Sequence, residues 1–363
     1  MFDKIKILQA LGSVMDPTTG RSIVAVNMVQ DLDIQGVNVN FTLVLPSLNM
    51  PNKQDLIFAC VGEIQDIYPS AEVNVHTKTV NAEMPTEEKV LPQVKNIIAI
   101  ASGKGGVGKS TVSSNLALGL ARMGAKVGLL DADLYGPSIP TMFGVQKHRP
   151  LVQDVYGQAK IVPLEVQGIH LISLGNIVDA EQAVVLRGPR LAGIIKQFIN
   201  DTLWPELDYL LIDLPPGTGD IQLTLVQTVP LTGVVMVTTP QEVAIIDAVK
   251  AMNMFQLPQV NVPILGVVEN MSWFTPAELP DNQYFIFGKG GGKQLARMAN
   301  TVLMGQIPLV QGIREGGDNG SPAVGSDNVL VQNAFMTVVE NLVNQIQLRH
   351  EVLAPTEKVK MTA

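Results

Sequence analysis

The octapeptide Gly103-Lys104-Gly105-Gly106-Val107-Gly108-Lys109-Ser110 constrains this chain more than any other stretch of it. It satisfies G-x-x-x-x-G-K-S, follows the apolar run Ile97 to Ala101 and precedes the helical spacing of Ser110 to Met123. A strand, a glycine loop and a helix in that order wrap consecutive backbone N–H groups around phosphate oxygens, and the helix N-terminus adds a favourable dipole field. The expected ligand is ATP with Mg2+. Lys109 is expected to reach the β and γ phosphates, the Ser110 hydroxyl to ligate the metal, and Thr111 to complete the loop's contacts from the first helical turn.

Three further pieces fit one phosphate site. Leu210-Leu211-Ile212-Asp213 is an apolar strand ending in a carboxylate, followed by Leu214-Pro215-Pro216-Gly217-Thr218-Gly219, as a metal-binding Asp and a γ-phosphate-sensing loop require. Leu129-Leu130-Asp131-Ala132-Asp133 puts two carboxylates at another strand end. If that strand continues, both leave on one face. Asp133 is then expected to orient the attacking water and Asp131 to stand in the metal's outer shell, with the reverse assignment open. Lys104 is not needed to fill the loop motif; either it is a solvated surface lysine or it neutralises transition-state charge in a second subunit, as an arginine finger does.

With 363 residues the chain fits a large and a small domain. It is 46% hydrophobic and 16% charged, with a mean hydropathy of +0.24, so most strands should be buried on both faces, as parallel strands between helices are. The fold expected is α/β, a mostly parallel sheet flanked by helices, preceded by a small α+β domain. Residues 1–82 read as that small domain, with helical spacing over Phe2 to Leu11, a turn at Asp16-Pro17-Thr18-Thr19-Gly20, a strand from Val37 to Leu45, a helix from Pro51 to Tyr68 and an extended run from Ala71 to Val80. The polar, proline-interrupted stretch 83–94 reads as a linker, 95–352 as the phosphate-binding domain and 353–363 as a tail. Strands are expected at Ile97 to Ala101, Val127 to Leu130, Ile169 to Leu174, Tyr209 to Ile212, Gly233 to Thr238 and Ile264 to Glu269. A second glycine-rich run, Phe287 to Lys293, lacks the Gly-Lys-Ser/Thr ending and reads as a turn into a helix over Lys293 to Ala299.

The loop with its additional early lysine resembles that of the MinD/ParA/ArsA class of dimerising ATPases. Asp131 to Ser138, Leu186-Arg187-Gly188-Pro189, Asp213 to Asp220, Thr239 to Ala244, Glu269-Asn270-Met271-Ser272 and Ile313 to Asp318 resemble the Mrp/ApbC branch, the iron-sulfur cluster carrier ATPases. Residues 10–80, with Asp16-Pro17, are similar to the small iron-sulfur-assembly domain that often precedes it. The resemblance implies a homodimer with ATP at its interface that holds a cluster and passes it to apoproteins, and it implies an adenine contact for Asn270; from the residues alone, an Asn at a strand end is a cap or a turn residue.

The chain departs from that branch where a cluster would be held. Carriers commonly follow the Glu-Asn-Met-Ser motif with C-x-x-C, and here Pro276 and Leu279 occupy those places; Met50 stands before Pro51 where the small domain usually has a cysteine. Cys60 is the sole cysteine and lies in an apolar run, so it reads as a buried thiol, and ligands for an iron-sulfur cluster are not identifiable. The four histidines, His76, His148, His170 and His350, lack metal-ligand spacing. Two readings follow: an ATP-driven cluster carrier with unconventional or partner-supplied ligation, or a nucleotide-gated dimeric switch without a cluster. A net charge of −8 and the near absence of Lys and Arg from Asn328 to His350 argue against nucleic acid and membrane partners, and the lack of an apolar leader or span points to the cytoplasm. Electron transfer of the nitrogenase-reductase kind fails on the cysteine count.

Overall fold

Asp3 starts α1 (Lys4–Leu11), its carboxylate accepting from the Ile5 N–H at 2.8 Å, and the apolar spacing of the helix buries Ile7 and Leu11. The computed structural model to which this helix belongs describes residues 2–45, 50, 52–79, 90–133, 136, 138–155, 158–177, 188–276, 278–279 and 281–356. Two units divide it: Met1–Gln93 with Val152–Val162 and Asp201–Pro205, and the remainder. The charged stretch read as a linker falls outside the described residues over 83–89, as do 357–363 of the tail.

In the first unit, β1 (Val29–Gln35) and β2 (Asn38–Leu45) pair antiparallel around Gly36 at φ +67, and β3 (Glu72–Thr79) joins β2 in parallel after the crossover helix α2 (Lys53–Ile67). Alternation along β2 buries Val39, Phe41, Leu43 and Leu45, which share one core with Ile7, Leu11, Leu56, Cys60 and Ile64. The helices and strands expected at 2–11, 37–45, 51–68 and 71–80 are all present to within a few residues. β1 was not anticipated: it carries polar residues and an irregularity in register between Gln30 and Asp33, with Asp31 at φ +52, so no period-2 pattern survives. The Asp16-Pro17 turn explains its own residues, because the buried Asp16 carboxylate accepts from the Thr18 N–H, the Thr19 N–H and the Thr19 hydroxyl. Cys60 is fully buried, and that burial pushes its thiol up to about 12.

The second unit is built on β4 (Val94–Ala101), α3 (Lys109–Arg122), β5 (Val127–Asp131) and α4 (Ile139–Met142). After the ribbon β6 (Leu151–Val155) and β7 (Gln158–Val162), whose residues 152–162 belong to the first unit, come β8 (Leu164–Val166), β9 (Ile169–Ser173), α5 (Gly188–Asp201), β10 (Leu207–Asp213) and α6 (Asp220–Thr228). Then follow β11 (Gly233–Thr238), α7 (Glu242–Gln256), β12 (Ile264–Glu269), α8 (Gly291–Met298), β13 (Leu303–Gln306), α9 (Gln311–Asp318) and α10 (Val329–Val352). Eight strands form one sheet in the order β13-β12-β11-β4-β10-β5-β9-β8, parallel except for β8. All six strands expected from the sequence are in it; β8 and β13, three and four residues long, are too short to show a pattern. Every residue of β5, β11 and β12 is buried, which matches their unbroken apolar runs.

α10 buries Val331, Phe335, Val338, Val339, Leu342 and Ile346, one stripe at helical spacing, and each such side chain contributes about 1.5–3 kcal/mol of burial. Its approach to α3 depends on a glycine, since a Cβ on Gly119 would lie 2.5 Å from Val339 Cγ2. β4 stands between β10 and β11, so the connections leaving these strands part on either side of it and open a crevice at the carboxyl edge of the sheet. The glycine loop lies at that edge.

Candidate nucleotide site

β4 ends at Ala101 and α3 begins at Lys109, with the glycine loop between them. Gly106 and Gly108 sit at φ +79 and +78, a region glycine enters without strain. Two glycines also permit close approaches. A Cβ on Gly103 would lie 2.1 Å from the Asp247 carbonyl carbon of α7, and a Cβ on Gly108 would lie 2.1 Å from Asn270 Nδ2. A bare Gly108 therefore lets Asn270 fasten the loop: its Nδ2 donates to Val107 O at 2.9 Å, while its own N–H donates to Thr238 O at 2.8 Å.

Behind the loop, the fully buried Asp213 gathers three side chains of α3. Lys109 Nζ donates to its Oδ2 at 2.7 Å, the Ser110 hydroxyl donates to the same oxygen at 2.6 Å, and the Ser113 hydroxyl donates to Oδ1 at 2.5 Å. A buried carboxylate is tolerable only when paired and hydrogen-bonded, and both conditions hold. Ser113 was not singled out from the sequence; its one signal is the four-residue spacing from Lys109, which places both on one helix face.

β5 stops at Asp131 and the Asp133 N–H folds back onto the Asp131 carboxylate, so the continued strand on which a shared face for the two carboxylates depended is not present. Asp131 is buried beside Asp213, with which it is in register across β5 and β10. Its Oδ1 accepts the Asp133 N–H at 3.1 Å and its Oδ2 accepts the Ser173 hydroxyl at 2.8 Å. Burial, and then the charge of Asp213, push its carboxyl up to about 8. Asp133 stands 3.9 Å from Lys109 Nζ and lines the cavity in front of the loop. Thus Asp131 shapes the turn and Asp133 faces the site. Ser173, from β9, is a second contributor the sequence did not mark.

That cavity, about 230 Å3, is lined by residues 104–111 with Ser102, Asp133, Ser138 and Pro216. At Gly108, Thr111, Ser138 and Met142 it meets a second hollow of about 380 Å3, lined by Asn270, Met271, Pro308, Ile313 and Asp318 among others. The first is small, polar and backbone-rich; the second is wider and more apolar, as the two ends of a nucleotide require. Met271 at φ +55 is pinned in the left-handed region by its neighbours, since Ser272 donates through N–H to Ile307 O at 2.9 Å and through Oγ to Glu269 O at 2.8 Å.

The other glycine-rich run has a different use. α8 starts at Gly291, and the buried Glu269 accepts the Gly292 N–H at 2.6 Å, so a carboxylate from within the chain occupies that helix N-terminus. Cβ atoms on Gly291 and Gly292 would lie 2.6 Å from Pro240 O and from Glu269 Cβ, which is why glycines recur there. Trp273 and Phe274 are half-buried; Phe274 exchanges backbone hydrogen bonds with Tyr284 at 2.8 and 2.9 Å, closing the loop that holds Pro276 and Leu279. Leu186 and Arg187 lie outside the described residues. Among the described residues there is no group of three or more His, Cys, Asp or Glu side chains placed to hold a metal ion, and no helix is long and apolar enough to cross a membrane.

Residues 93–343 match the profile of the NUBPL iron-transfer P-loop NTPases, and residues 4–75 match that of iron-sulfur cluster assembly proteins. The chain belongs to the NUBPL iron-transfer P-loop NTPase family. It is accordingly an enzyme that hydrolyses a nucleoside triphosphate. Curated relatives named iron-sulfur cluster carrier protein include one from Synechocystis, 47% identical over 88% of this chain and 90% of its own length, and one from Deinococcus radiodurans, 42% identical over 94% and 95%. Among solved structures, a nucleotide-binding protein from Archaeoglobus fulgidus in complex with ADP is 40% identical, with a TM-score of 0.54, and covers 64% of this chain and 88% of that one. The septum site-determining protein MinD from Pyrococcus horikoshii, complexed with Mg-ADP, is 22% identical with a TM-score of 0.51 over 71% of this chain and 99% of its own; it shares the fold.

Proposed function

We propose that this chain binds Mg-ATP in the glycine-loop cavity and uses its hydrolysis to carry iron-sulfur clusters to apoproteins. The observation that supports this most is the Lys109–Asp213–Ser110–Ser113 cluster beneath the loop, in a family whose curated relatives carry the cluster-carrier name. In this reading residues 103–111 wrap the phosphates, Lys109 faces the β and γ phosphates, and Asn270 contacts adenine. Ser110 and Asp213 present a hydroxyl and a carboxylate, the oxygen donors Mg2+ prefers, with Asp131 in the outer shell. Magnesium, when bound, neutralises charge on the phosphate oxygens. Asp133 holds the attacking water for in-line displacement.

Lys104 lines the same cavity, and its assigned place is the partner site of a homodimer. Lys104→Ala is expected to leave ATP affinity within about threefold of wild type while turnover falls by about a hundredfold or more, the scale of a charge supplied in trans. Phosphate release at wild-type rate from the variant rejects that role.

The cluster is cargo, and thiolates of this chain do not fit it: the sequence has one cysteine, and Cys60 is buried with its thiol held protonated. Partner-supplied ligation during transfer accommodates this, in a cytoplasmic protein whose partners are apoproteins or assembly factors. A nucleotide-gated switch without a cluster is the second reading, favoured by Pro276 and Leu279 at the places of the cysteine pair. Anaerobic reconstitution of wild type and Cys60→Ser, each alone and together with a cluster-accepting apoprotein, followed by iron and sulfide analysis of the purified protein and its complex, separates them. Stoichiometric iron in both forms supports the carrier; iron in neither transfers the assignment to the switch.

A further inference from the structure

The loop Pro215-Pro216-Gly217-Thr218-Gly219 follows Asp213 and borders the phosphate cavity through Pro216. Its prolines have no N–H, so only Gly217, Thr218 and Gly219 bring amide donors to it. The Gly217 N–H is committed, donating to Ser102 O at 2.9 Å. Behind the loop, on the first turn of α6, Gln222 is 2% exposed. Its Nε2 donates to Pro215 O at 2.9 Å and to Gly217 O at 3.1 Å.

Both partners are carbonyls, so the amide has one workable orientation; turned over, Oε1 would confront two like dipoles. That orientation leaves Gln222 Oε1 buried without a hydrogen-bond partner among the described residues. Burying an unpaired acceptor is unfavourable, and a methionine or leucine filling the same space would avoid it. The side chain is therefore placed for its donor. What the donor controls is a peptide plane: in a trans peptide the C=O of one residue and the N–H of the next point in opposite directions. Drawing Gly217 O inward turns the Thr218 N–H outward, to the exposed side of the loop, and Gly217 at φ +100 permits the turn.

We propose that Gln222 is a positioning residue for hydrolysis: by clasping the Pro215 and Gly217 carbonyls it aims the Thr218 amide at the terminal phosphate, so that the site distinguishes a triphosphate from a diphosphate. This rests on the nucleotide reading of the loop. The test compares the full-length wild type with Gln222→Glu, which keeps the shape but faces the two carbonyls with acceptors, and with Gln222→Met, which keeps the length without a donor. Calorimetry with ADP and with the non-hydrolysable analogue AMPPNP, together with phosphate release, supplies the readings. ADP affinity should stay within about twofold of wild type while AMPPNP affinity falls about tenfold and kcat falls about ten- to a hundredfold, the scale of misaiming one preorganised donor. An unchanged AMPPNP-to-ADP ratio with unchanged kcat overturns the proposal, and so does an equal loss for both nucleotides, which marks a packing role. If Gln222→Glu does not fold, Gln222→Met carries the same comparison. A wild type that binds neither nucleotide overturns the nucleotide reading itself, an outcome distinct from either.

Discussion

Lys109→Ala is expected to remove measurable ATP binding, with an affinity loss of about a hundredfold or more, because charge-assisted contacts to phosphate are worth about 1.5–3 kcal/mol each and Lys109 is placed to make more than one. Its Nζ lies 2.7 Å from Asp213 and 3.9 Å from Asp133, and the side chain is almost wholly buried. The same substitution strips a buried carboxylate of its cation. Breaking a buried pair from one side costs about 3–5 kcal/mol where nothing else compensates. Here the Ser110 and Ser113 hydroxyls still donate to Asp213, so the loss of stability should fall below that range and the variant should fold. Calorimetry with Mg-ATP and a thermal melt of the same sample separate the two effects. Wild-type affinity in a folded Lys109→Ala protein contradicts the phosphate assignment, whatever the melt shows.

Asp133→Ala is expected to do the opposite: to bind ATP nearly as wild type does and to turn it over about a hundredfold more slowly or worse, the range over which a positioned acid–base group acts. The geometry favours Asp133 over its neighbour. Asp133 lines the cavity, whereas both oxygens of Asp131 are engaged, one by the Asp133 N–H and one by Ser173. Steady-state phosphate release alongside binding of a fluorescent ATP analogue reads both halves of the prediction. Normal turnover in the variant would move the water-orienting role to Asp131 or Asp213.

The two carboxylates also show where a period-based reading gives way. An i, i+2 pair leaves a strand on one face only while the strand lasts, and β5 ends at the first of them. Nothing in Leu129-Leu130-Asp131-Ala132-Asp133 announces that end, since the bond that makes the turn uses the Asp131 carboxylate itself. In the same way the run Phe287 to Lys293 has the composition of a phosphate loop, and its other use appears only with Glu269 against the Gly292 amide. β1 and the ribbon β6–β7 have little alternation to find, and β8 and β13 are shorter than any pattern.

The phosphate loop was legible because its requirements are local. Positive φ at Gly106 and Gly108, a lysine and a hydroxyl at the helix start, and a strand before them all fall within one short segment, where backbone sterics and spacing act without help from distant residues. The partners of that loop are another matter. Asp213 meets Lys109 and Ser113 across about a hundred residues of chain, and Gln222 reaches the Pro215 and Gly217 carbonyls of the neighbouring loop only because α6 starts beneath them. These meetings depend on β10 lying between β4 and β5, with Asp213 level with Ile100 on one side and Asp131 on the other. Strand order and register are set by how the helices cross over and pack against the sheet, a sum of many burial terms spread along the chain, and no single stretch of residues carries that sum.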